Sequence, residues 1–223
     1  MSLPADEIVN GLIVIEKKLT TISQAIIVVT ALWPAMWSAA AAAAAAADAA
    51  TSQVQLSLPV VAVVDRYPPY ADFCRRHPSE CDLSGVSVVP HSTDLMDGIR
   101  AINSTVNLEI QFALDISQYG AEEYWALPAS GYGDCEDLAL EKRSRLVASG
   151  VAPGALRLAF VFHRRLLNSH CVLTVETSEG TYILDSRTDG VTRWDRAPYN
   201  FETRERTDGL WDRFDQTNWR YDH

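Results

Sequence analysis

The hydrophobic period changes once along this chain, between Gly150 and Pro153, and that change limits the folds open to it. Upstream, Leu95, Ile99, Ile102, Val106, Ile110 and Leu114 recur at three- and four-residue steps, which predicts one amphipathic helix over 94–119. A second helix is predicted from Cys135 to Ala148, with Gly150 and Pro153 as its stop signal. Downstream the period falls to two. Leu156, Leu158, Phe160 and Phe162 alternate with Arg157, Ala159 and Val161. A loop over 165–169, a strand over 170–177, a turn at Ser178-Glu179-Gly180 and a strand over 181–185 complete an antiparallel meander. Helices first and strands second give an α+β domain, with the helices packed on an antiparallel sheet. Residues 51–65 read as a further apolar strand. Residues 66–90 read as turns, broken by Pro68, Pro69, Pro78 and Pro90. The tail from Asp189 to His223 holds Trp194, Trp211 and Trp219 among many charges, and these indoles read as packing anchors.

The N-terminal part is of another kind. The 29 residues from Leu19 to Ala47 carry no charge, Lys17 and Lys18 precede them, and Ala39 to Ala47 is unbroken alanine. Residues 1–50 are therefore expected to be a signal peptide cleaved near Ala47 to Ala50, or an uncleaved membrane anchor, and 51–223 the folded domain. Either places that domain outside the cytoplasm, with the periplasm as the expected compartment. The net charge of -10 and the lack of a basic stretch exclude a nucleic-acid partner. Four cysteines are present. In an exported protein Cys74 and Cys81 are close enough to form a small disulfide loop, the competing reading being zinc on Cys74, His77 and Cys81. Cys135 and Cys171 are left as thiols.

The chemistry concentrates in Gly131-Tyr132-Gly133-Asp134-Cys135-Glu136-Asp137. Two glycines make a tight turn, and the cysteine falls in the first turn of a helix. A helix N-terminus favours thiolate, whereas the flanking carboxylates disfavour it. That conflict invites a cation at Asp134, Glu136 and Asp137; the alternative is a helix-capping set stabilised by the dipole alone. A cysteine nucleophile also needs a base and an orienting group. His170 opens one strand and Asp185 ends the next. Across a hairpin with an even-length loop, an even and an odd residue share a face, so His170 and Asp185 project together. Cys171 points to the other face with Leu173 and Val175, as a core thiol out of reach of Cys135.

The heptapeptide, Ser169-His170 and Leu184-Asp185 together resemble the bacterial transglutaminase-like cysteine proteinases, in particular the LapG-type periplasmic proteases that trim large biofilm adhesins. Phe73-Cys74 through Pro78-Ser79-Glu80-Cys81, Val106-Asn107, Tyr124-Trp125 and Pro128 extend the likeness over Tyr67 to Trp211. The resemblance implies a papain-like, transglutaminase-core fold and a Cys-His-Asp triad, here Cys135, His170 and Asp185. It also implies calcium held by Asp134, Glu136 and Asp137, a protein substrate of the surface-adhesin kind, and an inner-membrane regulatory receptor. Trp125 reads either as a residue of the cleft or as core. Two positions depart from the pattern: Cys171, where a small or apolar residue is expected, and Ala129-Ser130, where an acidic one is. The same thioester would also serve an acyl transferase or amidase, and a fold that kept only its metal would be a calcium-dependent binding module. The domain is expected to be a monomer.

Overall fold

The computed structural model describes residues 55–222. The signal or anchor segment read from the sequence lies outside the described residues. Among these residues no helix is long and apolar enough to cross a membrane.

The described residues form nine strands and four α-helices in the order β1 (Val60–Val64), α1 (Pro68–Arg76), α2 (Thr93–Glu109), β2 (Gln111–Phe112), α3 (Asp115–Tyr119), β3 (Tyr132–Gly133), α4 (Cys135–Ala148), β4 (Leu156–His163), β5 (Ser169–Thr177), β6 (Gly180–Asp185), β7 (Thr188–Arg193), β8 (Tyr199–Glu205) and β9 (Trp211–Phe214). Seven strands form one antiparallel sheet in the order β1-β9-β8-β4-β5-β6-β7. The two-residue strands β2 and β3 pair in parallel beside it.

Alternation along the strands builds two cores. Along β5, Cys171, Leu173 and Val175 join Phe73, Ile99, Trp125 and Leu140 on the helix side. Val172 lies on the opposite face with Val161, Ile183, Tyr199, Phe201 and Phe214. Leu56, Leu58, Trp194 and Ala197 pack on that second core. Trp211 is buried in the first, and Trp219 stacks on Phe162 with ring centroids 5.3 Å apart.

Three elements differ from the sequence reading. The prolines of 66–90 do not exclude a helix; Pro68 and Pro69 occupy the first turn of α1, where no backbone N–H is needed. The predicted helix over 94–119 stops at Glu109, because Gln111 N–H and Ala113 N–H donate instead to the carbonyls of Gly131 and Gly133. The charged tail, to which the sequence assigned no element, supplies most of β7 and all of β8 and β9, and β8 lies inside the sheet. Its buried charges are paired, Arg204 with Glu176 at 2.9 Å and Glu205 with Arg143 at 2.8 Å. Those ion pairs let a charged strand be interior, and they hide it from hydropathy.

Cys74 and Cys81 form a disulfide, closing α1 onto the short helix at Pro78–Cys81. Both thiols are thereby consumed, which removes the zinc reading.

Candidate active site

Helix α4 begins at Cys135, as the turn chemistry requires. Gly131 adopts φ 78°, a left-handed conformation that favours glycine. Gly133 is needed for a different reason: a Cβ there would sit 2.8 Å from the Asp137 Cβ and 3.3 Å from the Pro128 Cβ. The Cys135 N–H belongs to the first turn of α4, whose amides lack intrahelical acceptors, so it is free to face an oxyanion. The thiol accepts the Cys171 N–H at 3.3 Å and donates to Glu136 Oε2 at 3.1 Å. Burial, reinforced by the Glu136 charge, pushes the Cys135 thiol well above its ordinary value. The side chain of Cys171 is a buried core thiol, but its backbone reaches the nucleophile, a contact that strand parity leaves out of view.

His170 and Asp185 meet on the sheet. The β5–β6 register pairs Leu173 with Leu184, which places Asp185 one diagonal step from His170 on the same face. His170 Nε2 lies 2.7 Å from Asp185 Oδ1, and both side chains are buried. Oδ1 also accepts the Arg187 N–H at 2.9 Å, and the Tyr199 hydroxyl donates to Oδ2. Burial works to raise the Asp185 carboxyl, but these donors outweigh it and hold the group down at about 2. With Nε2 engaged, Nδ1 is the imidazole nitrogen left to take a proton. A cleft of ≈ 620 Å³ holds this chemistry: Cys135 and His170 line it with Tyr67, Phe160, Trp211 and Arg213. Trp125 does not line it. It is fully buried and packs behind the cleft wall, its ring 5.9 Å from Phe160 and 6.3 Å from Tyr67.

The carboxylates sort differently from the sequence reading. Among the described residues, Asp115, Asp134 and Glu136 bring carboxylate oxygens within 4.8 Å of one another. Asp137 lies outside that group: its Oδ1 accepts the Ala126 N–H at 2.7 Å, and its Oδ2 is buried without a hydrogen-bond partner. Its burial pushes that carboxyl up to about 8. Asp115 is the residue the sequence hid. It reaches the site only because the helix breaks after Glu109; six more helical residues would carry it about 9 Å onward along the axis. The one signal for the break is the short β-prone run Gln111-Phe112. Burial raises Asp115, Asp134 and Glu136, and the charge of Asp134 raises Glu136 further. Asp115 Oδ1 and Asp134 Oδ1 are buried without a hydrogen-bond partner. Three hard oxygen donors, two with unsatisfied atoms, fit a calcium-sized cation.

The family model of the bacterial transglutaminase-like cysteine proteinases matches residues 63–218. The chain belongs to that family. It is a cysteine proteinase with the family's mixture of helix layer and antiparallel sheet. Solved structures similar to this bacterial transglutaminase-like cysteine proteinase include calcium-bound LapG of Legionella pneumophila, 26% identical with a TM-score of 0.47, the match covering 56% of this chain and 74% of that one. EGTA-treated LapG of the same organism is 29% identical with a TM-score of 0.46, over 53% and 67% of the two chains. No match is found among curated proteins.

Proposed function

We propose that this proteinase is a periplasmic, calcium-assisted endopeptidase that cleaves a secreted or outer-membrane protein of the adhesin kind, using Cys135, His170 and Asp185. The observation that carries the catalytic part is the His170–Asp185 pair at 2.7 Å, opening on the cleft that also holds Cys135. His170 Nδ1 takes the thiol proton while Asp185 fixes the tautomer and stabilises the imidazolium. The thiolate adds to a peptide carbonyl, whose oxygen turns toward the Cys135 N–H. The C–N bond then breaks, His170 returns the proton to the departing amine, and water hydrolyses the thioester.

Asp115, Asp134 and Glu136 would hold calcium, as their spacing and unsatisfied oxygens support. Bound there, the ion supplies positive charge that neutralises the acids beside the thiol. The two LapG structures, one calcium-bound and one EGTA-treated, are compatible with that reading but do not carry it. The export-like N-terminus supports the compartment, and the proteinase family supports a protein substrate; control by an inner-membrane receptor is part of the proposal and rests on the sequence resemblance alone.

The test has two parts. Iodoacetamide labelling with mass mapping should modify Cys135 preferentially, and more slowly in EGTA than in calcium. New N-termini should then appear on surface proteins treated with the wild type and be absent with Cys135→Ala. Cys135 unreactive in both conditions, or cleavage that survives Cys135→Ala, would overturn the proposal.

A further inference from the structure

Asp185 occupies a weak point of the sheet. It is the last residue of β6, and the β6–β7 register shifts between Ile183 and Asp185. The ladder is irregular there, and the one backbone donor to the carboxylate, the Arg187 N–H, reaches Oδ1 only. Oδ1 has two donors, His170 Nε2 and the Arg187 N–H. Oδ2 accepts from one side chain, the Tyr199 hydroxyl, which arrives from β8, across β4 and β5.

Tyr199 is itself fixed. Its backbone pairs with His163 on β4, and its ring meets the His163 ring edge-on at 5.2 Å. The same ring lies 6.0 Å from the His170 imidazole at 34°. Most of the side chain is embedded in the apolar core formed by Val161, Val172, Ile183 and Phe201. A phenylalanine would fill that volume equally well. The hydroxyl is therefore unnecessary for packing, and it is spent on a buried, charge-assisted bond to the base-orienting carboxylate.

Resting on the triad reading above, we infer that Tyr199 is a positioning residue of the catalytic site: it fixes the plane of the Asp185 carboxylate so that Oδ1 faces His170, and its ring supports the imidazole. The consequence is a defined tautomer. With both carboxylate oxygens accepting, His170 keeps its proton on Nε2 and presents a bare Nδ1 to the thiol. Other charged groups face this pair: Lys142 from α4, itself also beside Asp189, Arg187 from the β6–β7 turn, and His163 from β4. They set the background field, and the Tyr199 hydroxyl sets the geometry.

Tyr199→Phe in the full chain removes only the hydroxyl. p-Nitrophenyl acetate serves as the acyl donor, followed as nitrophenolate release across pH in calcium, with Cys135→Ala and Asp185→Asn as companions. The expected result is a fall of about tenfold or more in kcat with KM little changed. The acid limb of kcat/KM should also move to higher pH. A carboxylate that loses one donor is protonated more readily and accepts more strongly from His170, and both effects act in that direction. Adding Tyr199→Phe to Asp185→Asn should cost little more than Asp185→Asn alone. The downfield proton resonance of His170 Nε2–H should shift in Tyr199→Phe, a readout independent of turnover. A lowered melting temperature with wild-type kcat, an unmoved acid limb and an unmoved resonance would reduce Tyr199 to packing and overturn the inference. Wild-type esterase activity in Cys135→Ala would instead overturn the triad reading, and the role of Tyr199 with it.

Discussion

The resting nucleophile accepts the Cys171 N–H, and its own thiol proton goes to Glu136, its sequence neighbour. The bond to Glu136 stabilises thiol over thiolate, so removing the negative charge of Glu136 favours reactivity. The carboxylates around it make separable predictions. Asp115→Asn should reduce the rise in melting temperature that calcium gives the wild type, whereas Asp137→Asn should leave most of it, since an amide oxygen still accepts the Ala126 N–H. Calorimetry in calcium and in EGTA checks both; equal losses would return Asp137 to the ligand set. Asp185 makes a pH prediction. Its carboxyl is held at about 2 against an ordinary 3.8. A depressed carboxyl contributes stability that is fully present above its unfolded value and is lost as pH falls through its folded value. Between pH 5 and pH 2 the wild type should therefore lose most of about 2 kcal/mol that Asp185→Asn does not lose, measured by urea unfolding.

Elements are where the sequence was partly legible. Helix α4 starts and ends at the predicted residues because its signals are local, two glycines before it and Gly150 with Pro153 after it. The shared face of His170 and Asp185 follows from parity once the hairpin loop is even in length, as the two residues between Thr177 and Gly180 make it. What stayed hidden depends on partners distant in the chain. The break after Glu109 is enforced by carbonyls some twenty residues later, at Gly131 and Gly133. Strand β8 looks like a surface segment until Arg204 finds Glu176 and Glu205 finds Arg143. Asp115 and Tyr199 owe their places to those two surprises, which is why neither stood out as a site residue. The turn before α4 carries its own prediction. Gly133→Ala would drive a methyl group against the Asp137 Cβ at 2.8 Å, forcing the first turn of α4 aside. We expect a loss of about 1–3 kcal/mol by chemical denaturation, with a slower alkylation of Cys135 in the protein that still folds. Unchanged values for both would mean that the turn relaxes at no cost to the site.

At the scale of the whole domain, the helix layer and the sheet meet through buried polar contacts as well as through the apolar core. Arg143 of α4 bonds Glu205 of β8 at 2.8 Å and the Tyr70 hydroxyl of α1 at 3.0 Å, so three elements from the two layers share one satisfied network. The division of labour across that boundary has a mechanical corollary. The sulfur rides on a helix, while the imidazole and its carboxylate ride on adjacent strands. Sliding one layer over the other would leave His170 and Asp185 bonded to each other and change only the gap they share with Cys135. The sheet carries the imidazole and carboxylate half of the triad and the first turn of α4 carries the sulfur, with the carboxylates of Asp115, Asp134 and Glu136 gathered on the sulfur's side of that division.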